Sequence, residues 1–163
     1  MSPPAITVLP TSPEILEKIL PLIAQYQEFY QQKPNTDVNR KFFSQFTAEK
    51  SSKLGIQFAA LDDSGRALGF ATLYFLPSSL TGGQYCGMND LLVDPEARGL
   101  GIGRKLIEHC RSYARNSSYG AIYWMTQNQN KTAQTLYDKL TGDRSEWFYY
   151  ALSTTPGEKA PLA

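Results

Sequence analysis

Near the start of the chain, Ile15, Ile19, Leu22, Ile23, Tyr26 and Tyr30 recur at helical spacing, the pattern of a helix with one face in a core. Ser12 can cap that helix, with Pro13 at its first position and Glu14 in its first turn, so a helix is predicted to run to about Gln32. Pro21 removes one ladder bond and is expected to kink or divide it, a break that often opens a cleft. A short strand over Ala5 to Leu9 precedes it, and a weaker helix over Val38 to Lys50 follows. Ile56 to Ala60 and Ala67 to Phe75 flank Asp62-Asp63-Ser64-Gly65, which reads as a hairpin turn. Gln84 to Val93 is the next strand. The period then changes: Ile102, Leu106, Cys110 and Tyr113 share one helical face. Ala121 to Thr126 reads as a buried strand and Asn130 to Leu140 as a helix carrying Ala133, Leu136, Tyr137 and Leu140. Trp147 to Leu152 is the final strand expected. The order β-α-α-β-β-β-α-β-α-β predicts an α/β (α+β) fold with a mixed sheet, because only crossovers through helices make neighbouring strands parallel.

Composition narrows this picture. The 163 residues are 42% hydrophobic and 19% charged, ordinary for one domain, and a single domain over residues 1–163 is expected. The Pro- and Gly-rich ends, Ser2-Pro3-Pro4 and Thr155-Pro156-Gly157, read as frayed termini. Sixteen Lys plus Arg against fifteen Asp plus Glu leave +1, too little to draw nucleic acid or an anionic membrane, so neither is expected as a partner. Cys86 and Cys110 match no metal or disulfide spacing, and no metal is expected. No basic leader precedes an apolar run, and no stretch approaches the roughly 18 apolar residues of a membrane span. A soluble cytoplasmic protein is the expectation. His109, the one histidine, falls on the outer part of its helix and reads as solvent-exposed without a ligand role.

The chemistry gathers at Arg98-Gly99-Leu100-Gly101-Ile102-Gly103-Arg104-Lys105. Three alternate glycines at a helix start let several backbone N–H groups converge on one anion with no Cβ in the way. A tight turn alone would want one or two glycines. The loop lacks the G-x-x-x-x-G-K-[ST] of a P-loop and the G-x-G-x-x-G of a dinucleotide fold, and the position about twenty residues on is the uncharged Tyr119. What remains is a cradle for pyrophosphate without magnesium chemistry.

In these residues the chain resembles the GNAT superfamily of N-acetyltransferases, whose hallmark is Gln/Arg-x-x-Gly-x-Gly/Ala after a strand ending in an aliphatic residue. Here Arg98-x-x-Gly101-x-Gly103 follows Val93. The resemblance implies the GNAT acyl-CoA N-acyltransferase fold and acetyl-CoA as cosubstrate. Backbone amides from Gly99 through Leu100, Gly101, Ile102 and Gly103 to Arg104 would hold the pyrophosphate. The main chain of Leu91, Leu92 and Val93 would pair with the pantetheine arm as a strand would. Arg104 and Lys105 can reach phosphates or stand solvated, since basic residues in a first turn oppose the helix dipole. The spacing Asn130-x6-Tyr137 completes the likeness, which covers about Tyr85 to Leu152 and is nearest to the diamine (spermidine/spermine-like) acetyltransferases. In the family the Asn touches the CoA arm and the Tyr hydroxyl protonates the departing thiolate. Read without the resemblance, Asn130 is equally a helix N-cap and Tyr137 a core aromatic.

A free alkylamine has a pKa of about 10.4 and attacks a thioester only when neutral, so a base is needed. The diamine acetyltransferases carry a Glu four residues before the strand's last aliphatic; here that position is Asn89. Asp90 is adjacent, but successive strand residues face opposite sides, so it enters the cleft only if a bulge turns it. Asp90 is therefore a candidate catalytic group alongside Tyr137. Glu28 and Tyr30, with Tyr26 and Phe29 around them, are candidates to wall the acceptor pocket with Asn89, an acid among aromatics suiting a cationic amine. Glu28 also fits a solvated helix face. The reading is acetyl transfer to a primary amine of a small molecule, polyamine or amino-acid-like. The alternatives are acetylation of a protein N-terminus or lysine, and a non-catalytic CoA-binding sensor. The aromatic run Trp147-Phe148-Tyr149-Tyr150 points to homodimer contacts.

Overall fold

In the computed structural model, which describes residues 5–50, 52–141, 144–148, 150–158 and 160, a meander of antiparallel strands ends in one parallel neighbour. The sheet runs β1 (Thr7–Pro10), β2 (Gly55–Leu61), β3 (Ala67–Ser78), β4 (Gly83–Val93), β5 (Ile122–Tyr123), in that spatial order. The first four are antiparallel, and β4 and β5 are parallel. That last pairing is the one joined by a helix, α3 (Ile102–Asn116), as the crossover rule requires. Between β1 and β2 lie α1 (Pro13–Phe29), α2 (Thr36–Phe43) and two short 3₁₀ turns, which take up the second half of the weaker helix expected to Lys50.

α1 begins as its cap predicts, with Ser12 Oγ accepting from the Ile15 amide at 3.2 Å. It runs through Pro21 undivided. Leu16, Ile19, Leu20, Leu22 and Ile23 are buried and pack with Phe43 of α2, Phe46, Ala59, Leu61 and Phe70. Each such side chain contributes about 1.5–3 kcal/mol on full burial. α3 covers the opposite face: Phe58 meets His109 edge-on at 4.8 Å and Tyr113 at 5.3 Å. His109 is thus half-buried against an aromatic ring rather than solvent-exposed, and burial lowers its pKa.

The chain divides into two compact units, Met1–Asn128 and Gln129–Ala163. The second contains α4 (Lys131–Thr141), where Asn130 Oδ1 caps the Ala133 amide at 3.3 Å. The strand expected over Trp147 to Leu152 does not form among the described residues. Trp147, Phe148, Tyr150 and Leu152 are all exposed there; Tyr149, like Ser2-Pro3-Pro4, lies outside them. The strand expected over Ala121 to Thr126 is trimmed to Ile122–Tyr123. No described helix is long and apolar enough to cross a membrane.

Candidate active site

Two features of β4 build the site. The first is an edge. β5 pairs with β4 at Cys86 and Gly87 and then leaves it, so among the described residues Met88 to Val93 have no ladder partner on that side. On the other side β3 pairs with them through Val93. Leu91, Leu92 and Val93, half-buried, therefore offer backbone donors and acceptors to an extended ligand.

The second feature lies just beyond the strand. Asp94 accepts from the Glu96 amide at 3.0 Å and pairs with Arg66 at 2.7 Å, while Arg66 also holds Glu96 at 2.9 Å. This pins the approach to the glycine loop. Gly99 (φ 83°) and Gly101 (φ 76°) are left-handed, and Gly101 is the N-cap of α3, which has no side-chain cap. The first intrahelical bond closes from the Lys105 amide to Gly101. The preceding amides of the first turn are therefore left for an outside acceptor, at the positive end of the helix dipole. A Cβ at Gly99 or Gly101 would meet nothing within 4 Å. The glycines are thus not dictated by packing, and their backbone faces open space, as a pyrophosphate cradle requires. Gly69 is the contrast: a Cβ there would stand 2.6 Å from the Leu92 carbonyl and 3.3 Å from Ile102 and Leu106, so it serves the packing of α3 on the sheet. Arg98 and Leu100 are exposed, Ile102 and Gly103 buried. Arg104 pairs with Glu108 at 3.5 Å, and Lys105 Nζ donates to the Ile6 carbonyl at 3.4 Å.

β4 also carries the bulge that Asp90 needs. Thr72 lies opposite Asp90 and Leu73 opposite Met88, so Asn89 is the extra residue. Side-chain parity flips there. Asp90 is 3% exposed and shares its sheet face with Thr72 and with Tyr26 of α1. Its Oδ1 accepts from Asn89 Nδ2 at 3.0 Å, while Oδ2 has no hydrogen-bond partner. Burial pushes its pKa up; the polar groups of Thr72, Asn89 and Tyr26 pull against that rise without overcoming it. A carboxyl so placed takes up a proton more readily than a free one. The Tyr26 hydroxyl donates to the Asn89 carbonyl at 3.2 Å, and its own pKa is raised by burial first and by Asp90 second. Tyr74 is pushed up to about 12 by burial and then by Asp90.

Of the sequence candidates, Asp90, Asn89 and Tyr30 come together here, Tyr30 through its edge-on contact with Tyr26 at 5.1 Å. Glu28 does not join them: it is exposed, and two residues on from Tyr26 it is turned about 200° around the helix. Asn130 and Tyr137 belong to the second unit, Tyr137 half-buried on α4. Tyr26 is read in the sequence only as an aromatic beside Glu28 and Tyr30, and nothing there singles out Thr72 and Gln57 as site residues. A lone polar residue within an apolar strand was the available signal for the last two. Among the described residues no cluster of His, Cys, Asp and Glu is arranged to hold a metal ion.

The chain is 35% identical over 116 residues to the D-amino-acid N-acetyltransferase HPA3 of Saccharomyces cerevisiae, covering 71% of each. It is 27% identical to the uncharacterized N-acetyltransferase YhfO of Bacillus subtilis, covering 86% of this chain and 91% of that one. Among solved structures, a probable acetyltransferase superposes with a TM-score of 0.80 at 28% identity, over 91% of this chain and 98% of that one. An aminoglycoside N-acetyltransferase in complex with CoA shares the fold, with a TM-score of 0.79 at 16% identity over 94% and 98%. The pattern of the acetyltransferase (GNAT) family matches residues 18–142; the chain belongs to that family and is an acetyl-CoA-dependent acyltransferase.

Proposed function

We propose that this chain acetylates the primary amine of a small, amino-acid-like molecule, with Asp90 as the group that takes the amine's proton. The observation that supports the proposal is the bulge at Asn89, which leaves the buried Asp90 carboxyl opposite Thr72 and next to the position that lacks the diamine acetyltransferases' Glu. Acetyl-CoA supplies the activated acetyl group. The amides from Gly99 to Arg104 hold its pyrophosphate, and the main chain of Leu91 to Val93 holds its arm and polarises the carbonyl that receives the amine. Asn130 supports the arm, and Tyr137 supplies a proton to the departing thiolate. Tyr26 and Tyr30 wall the acceptor, giving an ammonium group aromatic faces before it loses its proton to Asp90. The likeness to a D-amino-acid acetyltransferase favours an acceptor of amino-acid size.

Thiol release from acetyl-CoA with a panel of D- and L-amino acids, polyamines and peptides tests this. Turnover with free amino acids is expected, and Asp90→Asn should lower it by about 10²-fold or more. Turnover confined to peptides would replace the acceptor with a protein terminus or lysine. CoA binding without turnover across the panel would make the chain a sensor.

A further inference from the structure

A row of polar side chains crosses the sheet beside Asp90, on the face that α1 and α2 otherwise fill with hydrocarbon. Thr11 follows β1, and its amide donates to the Gln57 carbonyl at 2.8 Å. Gln57 on β2 lies opposite Thr72 on β3, and Thr72 lies opposite Asp90 on β4. Thr11, Gln57 and Thr72 are each 0% exposed. Their neighbours on that face include Ala59, Phe70 and Phe46. Apolar residues would fill these positions at less cost, since a buried polar atom without a partner costs about 1–3 kcal/mol.

The hydrogen bonding gives the row a direction. Gln57 Nε2 donates to Thr72 Oγ1 at 3.1 Å. The Thr72 oxygen is thereby engaged as an acceptor, and its own proton is left to point elsewhere. Directly across the ladder is Asp90, whose Oδ2 is buried and unpartnered. Cross-strand partners stand with Cβ atoms about 4.5–5.5 Å apart, within reach of a hydroxyl that turns.

We infer that Thr72, oriented from behind by Gln57, is a positioning residue that aims its hydroxyl proton at Asp90 and so sets the pH at which Asp90 accepts a proton from the amine. The same hydroxyl holds the carboxyl against the sheet, leaving its other oxygen to Asn89. The other groups that face Asp90 are Tyr26 from α1, with Tyr30 behind it, and Tyr74 from β3. Burial and the neighbouring Asp90 hold the Tyr26 and Tyr74 phenols protonated, so the row is the adjustable influence. The inference rests on Asp90 being the base of the proposed reaction, and the test keeps the two apart.

The Asp90 carboxyl is followed by ¹³C NMR titration of the full chain, its signal assigned by its loss in Asp90→Asn, alongside the pH profile of kcat/KM. Removing a hydrogen bond to a charged group should raise the Asp90 midpoint in Thr72→Val by about one pH unit or more. The acid limb of kcat/KM should move up by the same amount. Gln57→Leu should move both in the same direction by less, and Thr72→Ser should restore wild-type values. If Thr72→Val does not fold, Gln57→Leu against Thr72→Ser carries the comparison. Midpoints within about 0.2 units of wild type in the folded variants, or a Thr72→Ser that titrates unlike wild type, would overturn the inference. If Asp90→Asn keeps full turnover while Thr72→Val still shifts the carboxyl, the row stands as an orienting device and the base assignment falls.

Discussion

Replacing Gly101 by Ala separates what the loop does for the fold from what it does for the cosubstrate. Gly101 sits at φ 76°, where a residue with a Cβ costs about 1–2 kcal/mol. Nothing lies within 4 Å of the added methyl, so no clash adds to that figure. At this chain length 1 kcal/mol lowers Tm by about 2–4 °C, giving an expected loss of about 2–8 °C. A typical stability of about 5–15 kcal/mol leaves such a variant folded. The binding loss is expected to be larger. The methyl would enter the open space beside the loop that the pyrophosphate is proposed to fill, and losing one hydrogen bond to a charged phosphate oxygen costs about 1.5–3 kcal/mol, which weakens CoA about 10- to 150-fold. Gly69→Ala should do the reverse, because its Cβ would meet the Leu92 carbonyl at 2.6 Å: a greater loss of Tm with a smaller change in affinity for the folded protein. Calorimetry with CoA and thermal unfolding measure both. A Gly101→Ala protein with CoA affinity within twofold of wild type would refute the reasoning.

Asp90→Asn is expected to stabilise the protein while disabling it. The folded pKa of Asp90 is raised, so between the ordinary carboxylate range and that raised value the native state binds more protons than the unfolded chain, and stability falls as pH rises. The Tm of the variant should exceed wild type near pH 8, with the difference shrinking as pH falls to about 4; a constant difference over that span contradicts the direction of the shift. Tyr137→Phe should lower kcat by about 10²-fold or more with unchanged thermal unfolding, and an unaltered kcat removes the hydroxyl from the mechanism. Burial pushes the Cys86 thiol up to about 11 and the Cys110 thiol up to about 12, so iodoacetamide at pH 8 should label neither in native protein and both in denaturant. Rapid native labelling, read by mass spectrometry, would show that one of them is reached by solvent.

The β4, loop and α3 sequence was legible because each part carries its own local signal: apolar strand, alternate glycines, and helical spacing from Ile102. The bulge was not legible. Gln84 to Val93 reads as continuous strand, and whether Asn89 or Asp90 turns to the α1 face is decided by register against β3 rather than by local pattern. Pro21 is expected to kink or divide α1, and the helix is not divided: it continues from Pro13 to Phe29 with Leu16, Ile19, Leu20, Leu22 and Ile23 buried on both sides of the proline. Strand length was overestimated at β5, where Tyr123 and Met125 are apolar but 62% and 78% exposed. Trp147 to Leu152 has high strand propensity and forms no strand among the described residues, because propensity needs a partner ladder to act on. Thr72 and Gln57 are polar exceptions in β3 and β2 that the sequence does not single out; their alignment with Asp90 exists only in the folded sheet.

Backbone amide NMR of the chain titrated with CoA tests the central claim most directly. The account predicts that the Gly99 to Arg104 amides shift downfield at saturation, as amides do on bonding to phosphate, together with those of Leu91 to Val93 along the open edge of β4. A titration that saturates while these resonances stay in place, with perturbations elsewhere on the sheet, would contradict it.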